Sequence, residues 1–339
     1  MSSGSTVRSH IVGVGGYLPE RILTNAELST MVDTDDAWIR ERTGITQRHI
    51  IAKDQKTSDL ATEAARQALE DAGLTAKDLD AIVVATTTPD MVFPSTASIV
   101  QYKLECENIP AWDIQAVCSG FVYGLAQVDG MMRGGMFKRV LLIGAESMSR
   151  ILDWNDRSTC VLFGDGAGAV VLESREEEGG IIGSVLHCDG SYRHLLMADH
   201  AHPGAAPGED PTDFHVDSAG VAAVEMKGNE VFRVAVTKLG EVVSEVLDLH
   251  GLKQSDVDWL VPHQANIRIL QATAKKLKMS SDRMAVTVDR HANTSAASVP
   301  LALNHIYREG KLEKGQLLLL EAFASGFAWG ANLIRWSKG

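Results

Sequence analysis

The sequence predicts an α/β protein built from two related halves, with mostly parallel sheets whose faces are covered by helices. Two observations carry this prediction. Short apolar runs typical of buried strands alternate with longer segments of helical periodicity along the 339 residues. Three segments of the first half also recur in the same order in the second half, at an offset of about 175–178 residues.

The internal repeat is seen in four pairs of segments. In one pair an acidic residue precedes a short apolar strand, and in another a strand leads into a helix start rich in small residues. The pairs are 79–84 with 257–262, 112–119 with 285–295, 139–147 with 315–323 and, with a shorter spacer, 164–172 with 326–334. This pattern predicts one half over residues 1–180 and the other over 181–339.

Helices are expected between the strands, and their ends are marked by capping residues. The first begins near Ser58, a competent cap, and ends at Gly73, since glycine commonly terminates helices. The further predicted helices span 119–132, 229–249, 265–279 and 295–309. The stretch 187–216 is rich in Gly, Pro, Asp and His, and we expect it to run irregularly over the surface.

Composition narrows the possible functions. The net charge of −12 disfavours binding of nucleic acid or of an anionic membrane surface, and no apolar run is long enough to span a bilayer. The first residues lack the apolar stretch of a secretory signal. The four cysteines form no CxxC pair, and the histidines at 187, 194, 200, 202 and 215 fit no zinc spacing. We therefore expect a cytoplasmic protein without a metal site.

Cys118 is the first candidate for chemistry because it lies where a predicted strand passes into a predicted helix. Unpaired backbone N–H groups and the helix dipole at such a position favour a thiolate, which is the nucleophilic form of cysteine. A single cysteine in an apolar segment is more often a packing residue, so the segment alone leaves both interpretations open.

His263 and Asn293 occupy the strand ends of the second half that correspond to the region of Cys118. Ligands of α/β sheets bind at the carboxyl ends of the strands. A thiol can accept an acyl group, while an imidazole and an amide can donate hydrogen bonds to a thioester oxygen that gains negative charge. Together the three residues indicate an acyl-transfer site.

These segments resemble the β-ketoacyl-[acyl-carrier-protein] synthase III family, which has the thiolase fold. The motifs that carry the resemblance, besides Cys118, are DAWIRERTGI at 36–45, FGDGAG at 163–168, KGNEVF at 227–232, PHQANIR at 262–268 and HANTSAAS at 291–298. The resemblance runs from about Ile11 to Trp336. It implies a duplicated five-layer α-β-α-β-α core, a homodimer and catalysis of the first condensation of fatty acid synthesis.

The resemblance also implies a role for each matching residue. Cys118 would accept the acyl group of acetyl-CoA, and His263 and Asn293 would stabilise the enolate formed when malonyl-acyl-carrier protein loses carbon dioxide. The oxyanion hole would consist of the backbone N–H groups of Cys118 and Ser325. The segment FASGF at 323–327 stands where a run of glycines is usual, which puts the geometry of this loop in question.

Contacts to coenzyme A are implied in the same way, with the CoA thioester acting as a substrate and no cofactor required. Trp38 and Arg157 would sandwich the adenine, and Arg42 and Arg268 would lie near the phosphates. The implied CoA-binding set is Thr34, Trp38, Arg42, Arg157, Asn229, Asn266 and Arg268.

Two further surfaces follow from the resemblance. The acyl pocket would be formed by Phe163 and Leu195, and by Phe93 reaching across the dimer interface into the partner's pocket. Because the carrier protein is acidic, Arg268, Lys275 and Lys276 would supply the local positive charge for its docking.

Three alternative functions remain open from the residues. One is a specialised synthase III-like acyltransferase of secondary metabolism, and another is a cysteine-dependent acyl-CoA thioesterase. The third is an acyl-CoA-binding protein without activity, which would require none of the three candidate catalytic side chains. The length and branching of the acyl primer do not follow from the sequence.

Overall fold

A computed structural model of the chain describes residues 7–198 and 223–339. The strands are β1 (Arg8–Tyr17), β2 (Arg21–Thr24), β3 (Gln47–Ile50), β4 (Ala81–Ala85), β5 (Ala111–Ile114), β6 (Arg139–Ser147), β7 (Asp165–Arg175), β8 (Gly180–Cys188), β9 (Leu196–Ala198), β10 (Val224–Met226), β11 (Trp259–Pro262), β12 (Leu317–Ala324) and β13 (Ala328–Arg335). The helices are α1 (Asn25–Leu28), α2 (Asp36–Thr43), α3 (Thr57–Ala72), α4 (Thr96–Lys103), α5 (Gly120–Arg133), α6 (Gly228–Leu249), α7 (Ile267–Lys276), α8 (Val288–His291) and α9 (Ser298–Arg308).

The two large sheets have the same strand order. The first sheet runs β1-β7-β6-β4-β5, and the second runs β8-β13-β12-β11. β4 pairs in parallel with β6 in the first sheet, as β11 does with β12 in the second, and β4 also pairs in parallel with β5. β7 pairs antiparallel with both of its neighbours, and so does β13. Antiparallel pairing is therefore more frequent than the prediction of mostly parallel sheets implies.

The second sheet differs from the first at one edge. Where β5 lies in the first sheet, the second has only an isolated parallel bridge between Met284 and Leu260. The strand predicted ahead of Asn293 is therefore wrong. Its place is taken by a turn into α8, because the Gln264 side-chain oxygen accepts the backbone N–H groups of Thr287 and Val288 at 2.8 and 3.1 Å and bends the chain there.

Helices fill the space between the sheets and cover their outer faces. α5 and α9 share one apolar core with strands of both sheets, including Phe121, Val299, Val83 and Val261. α3 covers the outer face of the first sheet and α6 that of the second. These contacts produce the predicted α-β-α-β-α layering. The predicted division of the chain at residue 180 stays a prediction.

Close packing of α3 explains Gly13 in β1. A Cβ atom added there would lie 2.1 Å from the Ala68 carbonyl oxygen, so only glycine permits this approach of strand and helix.

The predicted helix bounds agree closely with the structure for α3 and α6. The cap of α3 is Lys56 rather than the Ser58 we predicted. α7 is shorter than the predicted 265–279, because the Asn266 side chain caps its start and Lys278 has a positive φ of 51° beyond its end.

The predicted irregular stretch over 187–216 is described only as far as residue 198. That part contains a 3₁₀ turn, Gly190–Leu195, and β9, which pairs with β10. Residues 199–216, including the histidines at 200, 202 and 215, lie outside the described ranges. Within the described ranges no helix is long and apolar enough to cross a membrane, and no group of three or more His, Cys, Asp or Glu side chains is placed to hold a metal.

Candidate active site

Cys118 lies in a tight turn between β5 and α5. The turn, Val117–Ser119, begins with Val117 at a φ of +48° and leads directly into the helix at Gly120. A Cβ atom on Gly120 would meet Ala85 at 3.1 Å and Ala296 at 3.3 Å, so the turn is pressed between the end of β4 and a second turn of the other half. Cys118 is consequently only 4% exposed.

The thiol of Cys118 is protonated in this environment. Burial raises its pKa to about 12, a hydrogen bond with Ser295 acts in the opposite direction, and the charge of Glu146 raises it further. Burial therefore acts against the thiolate that the position at the helix start was expected to favour. A base must take the thiol proton when the sulfur attacks.

His263 follows the last residue of β11, and its ring is buried. Its Nδ1 lies 2.6 Å from the Ser298 hydroxyl oxygen, which also accepts the Gln264 backbone N–H at 3.3 Å. Burial lowers the pKa of His263 to about 3, so the imidazole is neutral at physiological pH. A neutral imidazole carries a single N–H, which makes it a hydrogen-bond donor at one nitrogen and an acceptor at the other.

Asn293 is fixed by both its backbone and its side chain. Its backbone N–H donates to the Leu162 carbonyl at 2.9 Å, and its carbonyl accepts the Gly164 N–H at 3.0 Å. Its side-chain Oδ1 accepts the backbone N–H of Ser295 at 2.9 Å. Because the oxygen is engaged in this way, the NH₂ group of Asn293 is the part left to donate into the site.

The three candidate catalytic side chains, Cys118, His263 and Asn293, line one cavity of about 370 Å³. The prediction that both halves contribute to a single site therefore holds in the structure. Apolar side chains form much of the wall, among them Val161, Leu162, Phe163, Leu196, Met226, Val231, Phe232, Leu239, Ile269 and Phe323. This wall suits the acyl chain of a thioester, and the three candidate catalytic side chains are each 7% exposed or less.

Five of the seven residues predicted to bind CoA line the same cavity: Trp38, Arg42, Asn229, Asn266 and Arg268. The guanidinium of Arg42 lies 5.2 Å from the centre of the Trp38 ring, and that of Arg157 lies 5.1 Å from it. Arg157 also donates to the Asp33 carbonyl at 2.8 Å. A flat aromatic ring with two arginines thus marks the outer part of the cavity.

Thr34 is not among the lining residues, and its buried hydroxyl has no hydrogen-bond partner within the described ranges. Asn266 uses its side-chain oxygen to cap α7 by accepting the Ile269 N–H at 3.0 Å. Its amide NH₂ therefore remains as a donor.

The three residues predicted to form the acyl pocket lie in different places in the structure. Phe163 lines the cavity, whereas Leu195 is buried and is not a lining residue, and its neighbour Leu196 lines the cavity instead. Phe93 lies away from the cavity of its own chain and is 82% exposed, beside Val92 at 89%. Phe93 therefore cannot close the pocket of the chain that carries it.

The residues predicted to dock the carrier protein are exposed. Arg268 lies in the first turn of α7, at the rim of the cavity, with its guanidinium 5.8 Å from the centre of the Phe232 ring. Lys275 and Lys276 occupy the last turn of the same helix. The Lys276 ammonium group donates to the Thr237 carbonyl at 3.4 Å.

The loop predicted to complete the oxyanion hole joins β12 to β13 and packs beside Cys118 through Ala324. The Ser325 hydroxyl donates to the Leu196 carbonyl. A positive φ, 129°, occurs at Gly326, and neither Ala324 nor Ser325 has one. The substitution of glycines that the sequence raised as a doubt therefore causes no backbone strain at these two positions.

Three polar residues around the site were not singled out by the sequence analysis: Glu146, Ser295 and Ser298. Glu146 could have been identified from the sequence, since a carboxylate in the mostly apolar segment VLLIGAES at 140–147 is unusual for a buried strand. The two serines gave none, because serine is common at helix starts.

Comparisons with known proteins agree on one family. Residues 112–190 match the family model of 3-oxoacyl-[acyl-carrier-protein] synthase III, and residues 247–336 match its C-terminal model. The chain is 55% identical over 327 residues to the β-ketoacyl-[acyl-carrier-protein] synthase III of Thioalkalivibrio sulfidiphilus, covering 96% of this chain and 99% of the relative. That of Thiobacillus denitrificans is also 55% identical, over 97% of this chain and 99% of the relative.

Solved structures of condensing enzymes superpose closely on the chain. The 3-oxoacyl-[acyl-carrier-protein] synthase III of Aquifex aeolicus VF5 superposes with a TM-score of 0.89 at 44% identity, covering 97% of this chain and all of that one. The priming β-ketosynthase of the R1128 polyketide pathway superposes with a TM-score of 0.88 at 32% identity, covering 97% of this chain and 96% of that one.

Proposed function

The chain belongs to the β-ketoacyl-[acyl-carrier-protein] synthase III family and is a condensing acyltransferase of the thiolase fold, and from this premise we propose how its own residues perform the reaction. A short acyl group passes from acyl-CoA to Cys118 and is then joined to malonyl-acyl-carrier protein with loss of carbon dioxide. The product is a 3-oxoacyl-carrier protein, which initiates fatty acid synthesis. The observation that carries the assignment is the shared cavity of Cys118, His263 and Asn293.

In the first half-reaction the Cys118 sulfur attacks the acyl-CoA carbonyl, and the CoA thiolate leaves. The backbone N–H groups of Cys118 and Ser325 are proposed to stabilise the oxyanion of the tetrahedral intermediate. The position of Ala324 beside Cys118 supports this, because it brings the adjacent Ser325 backbone close to the nucleophile.

In the second half-reaction His263 and Asn293 donate hydrogen bonds to the malonyl thioester oxygen as decarboxylation converts it to an enolate. The Gln264 backbone N–H already donates to the Ser298 oxygen, and donation of the Ser298 hydroxyl to Nδ1 of His263 leaves the imidazole proton on Nε2. Both side chains then act as donors, and neither carries a positive charge. The enolate carbon attacks the acyl-Cys118 thioester and expels the Cys118 sulfur.

We propose that the CoA nucleotide binds at the outer part of the cavity. The Trp38 ring offers a stacking surface, and Arg42 and Arg268 are positioned for the phosphates. In the structure Arg157 covers Trp38 directly, so an adenine placed between them would displace its guanidinium. The CoA thioester is a substrate, and the proposed chemistry uses no cofactor.

A homodimer and a cytoplasmic location belong to the proposal. The exposed apolar pair Val92 and Phe93 supports an interface with a second copy, since a contiguous exposed apolar surface commonly marks one. All four cysteines are free, as expected in a reducing compartment. Carrier-protein docking is assigned to Arg268, Lys275 and Lys276, and we expect it to weaken with added salt.

The direct test is stepwise acylation followed by condensation. Acetyl-CoA alone should add one acetyl group to Cys118 by peptide mass spectrometry, and later addition of malonyl-carrier protein should consume the adduct and yield 3-oxobutyryl-carrier protein. Release of free acetate without the malonyl donor would indicate a thioesterase. Tight CoA binding with no adduct would indicate a protein that only binds acyl-CoA.

A second candidate is a priming synthase of a specialised pathway. The close superposition on a priming β-ketosynthase of polyketide biosynthesis supports it. Acetyl-, isobutyryl- and octanoyl-CoA should be compared as first substrates in one condensation assay. A strong preference for acetyl-CoA supports the fatty acid role, and a preference for a longer or branched primer supports the specialised one.

A further inference from the structure

A buried carboxylate, Glu146, lies at the carboxyl end of β6 behind the nucleophile. Its Oε2 accepts the Thr88 hydroxyl at 2.6 Å, the Thr87 N–H at 3.0 Å and the Thr88 N–H at 3.1 Å. A carboxylate that accepts several hydrogen bonds is stabilised in its charged form, whereas burial alone favours the neutral form. For Glu146 burial is the larger effect, so its pKa lies above the usual value and the carboxylate is a stronger base than one in water.

Ser295 connects Glu146 to the nucleophile. Its hydroxyl oxygen lies 2.9 Å from Oε1 of Glu146, the oxygen that the threonine donors leave free. The same hydroxyl lowers the pKa of the Cys118 thiol, and the turns that carry Ser295 and Cys118 pack together where Ala296 approaches Gly120. Ser295 itself is fully buried and is held at a φ of +48° in the turn pressed against Gly120. The Ser295 hydroxyl is therefore hydrogen-bonded to the Glu146 carboxylate and belongs to the turn that packs against the turn of Cys118.

His263 is poorly suited to take the thiol proton. Its Nδ1 is engaged by Ser298, and the proposed function places the imidazole proton on the other nitrogen, where it is needed as a donor. Burial also disfavours the imidazolium that proton uptake would create. The thiol nevertheless has to lose its proton before it can form a thioester.

We propose that Ser295 and Glu146 form the proton relay that activates Cys118, an inference that rests on the proposed function of Cys118 as the acylated nucleophile. As the S–H bond breaks, its proton passes to the Ser295 oxygen, and the Ser295 hydroxyl proton passes to Oε1 of Glu146. The sulfur electron pair forms the new bond to the acyl carbon. When the C–S bond to CoA breaks, the proton returns through Ser295 to the CoA sulfur. Ser295 touches the reacting atom, and Glu146 acts through it.

This arrangement gives a specific pH signature. While Glu146 and Cys118 share one proton, the fraction present as thiolate with protonated carboxyl does not change with pH. The rate of Cys118 modification should then reach a plateau in the neutral range. Without the relay, only the thiolate formed by loss of a proton to solvent can react, and the rate should rise about tenfold per pH unit.

The experiment compares the full-length wild type with Glu146→Gln, measuring both acetylation by acetyl-CoA and alkylation by iodoacetamide from pH 5.5 to 9. Glutamine keeps an oxygen for the threonine donors and sets an NH₂ group against Ser295, which preserves the packing. We expect the wild-type plateau to be replaced by a tenfold rise per pH unit, with acetylation at pH 7 slower by about a hundredfold or more. Decarboxylation of malonyl-carrier protein, which needs no thiol proton, should be retained.

A matched control is Asp165→Asn. Asp165 is another buried carboxylate, on the strand beside β6, and it accepts the Ile51 N–H at 2.7 Å and the Ser149 N–H at 2.8 Å. This variant should keep the plateau, which separates the relay from the general effect of neutralising a buried carboxylate. If Glu146→Gln does not fold, Ser295→Gly serves instead, because glycine tolerates the positive φ while removing the hydroxyl.

The outcomes distinguish this inference from the proposed function. A wild type in which Cys118 is not acetylated at all overturns the proposed function. If the wild type is acetylated but the Glu146→Gln variant keeps the same plateau and rate, the relay alone is overturned. The relay is also overturned if the rate of Cys118 modification rises tenfold per pH unit in both the wild type and the variant.

Discussion

The two halves of the molecule build the same junction and use it differently. In the first half the turn Val117–Ser119 leads into α5, and in the second the turn Ser295–Ala297 leads into α9. Both turns begin with a residue at a φ of +48°. At an offset of 178 residues, Cys118 corresponds to Ala296, so one copy of the junction carries a nucleophile and the other a methyl group.

At the strand ends the functional residue lies in the second half and the small residue in the first. His263 follows β11 in the second half, and at the same offset the first half has Ala85 at the end of β4. Each half therefore provides what its counterpart lacks. Because the small residues Ala85 and Ala296 both approach Gly120, they also make the close contact that brings the two functional ends together. A duplicated fold can thus divide nucleophile and donors between its copies while keeping the same junction from turn to helix in each.

The largest expected effect comes from removing the nucleophile, which is the functional group that the first half provides. Cys118→Ala should abolish acylation and lower condensation by at least about 10⁴-fold, since no covalent intermediate can form. Decarboxylation of malonyl-carrier protein should persist, because the donors of the second half are intact. Release of carbon dioxide and formation of 3-oxoacyl product, measured in parallel, check this expectation.

The reciprocal control is His263→Ala. This variant should still form the acetyl adduct on Cys118, while its rate of decarboxylation of malonyl-carrier protein falls by about a hundredfold or more. If both variants lost both half-reactions to the same extent, the division of chemistry between the halves would be refuted.

A smaller effect is expected at Ser298, whose counterpart in the first half is Gly120. Ser298→Ala removes the partner of His263 Nδ1, so the ring loses its fixed tautomer and orientation. We expect decarboxylation to fall by about tenfold, which corresponds to about 1.4 kcal/mol. Acetylation of Cys118 should be unchanged.

Ser298→Thr retains a hydroxyl and should restore most of the lost rate. A purely structural role for Ser298 would instead lower both half-reactions together, along with the free energy of unfolding. Single-turnover measurements of each half-reaction distinguish the two cases.

The last prediction concerns stability alone, with no expected change in rate, and involves Glu321 in β12, whose counterpart at the offset of 178 is Ile143. Burial raises the pKa of Glu321 to about 8, and neither carboxyl oxygen has a partner in the described part of the chain. The native state then holds a proton that the unfolded chain releases above a pH of about 4.3. The contribution of Glu321 to stability is therefore lost as pH rises from there toward 8, by up to about 1.4 kcal/mol per pH unit.

Glu321→Gln stays neutral throughout, so the free energy of unfolding of the variant relative to wild type should increase between pH 5 and 8. Urea unfolding at several pH values measures it. His263 and His291, whose pKa values burial lowers to about 3, make both proteins less stable as pH falls below about 6.5, and this contribution cancels in the difference. A constant difference across the range would contradict the prediction.

Much of the architecture follows from the sequence for identifiable reasons. The repeated strand segments predicted two related α/β halves, because the same apolar strand segments recur in the same order in each half. Helices α3 and α6 were predicted almost to the residue because long amphipathic segments ended by glycine leave little ambiguity. The strand expected before Asn293 was wrong, since its apolar pattern is overridden by the side-chain hydrogen bonds of Gln264.

At the site, the residue types were predictable and their states were not. A thiol at a helix start suggested a thiolate, but the local pattern contains no measure of how completely the rest of the protein excludes water from Cys118. Leu195 was predicted to line the pocket, whereas the turn it belongs to presents Leu196 instead. A shift of one residue changes which side chain faces a cavity, and local patterns do not fix that direction.

The sequence by itself determined the duplicated α/β core and the three functional groups, because hydrophobic periodicity and side-chain chemistry are local properties. The tertiary structure decided how those groups work. It placed the Ser298 hydroxyl on the imidazole of His263, 35 positions away along the chain, and the Ser295 hydroxyl on the carboxylate of Glu146, 149 positions away. Protonation and orientation depend on such distant neighbours and on burial, and both exist only once the two halves are packed together.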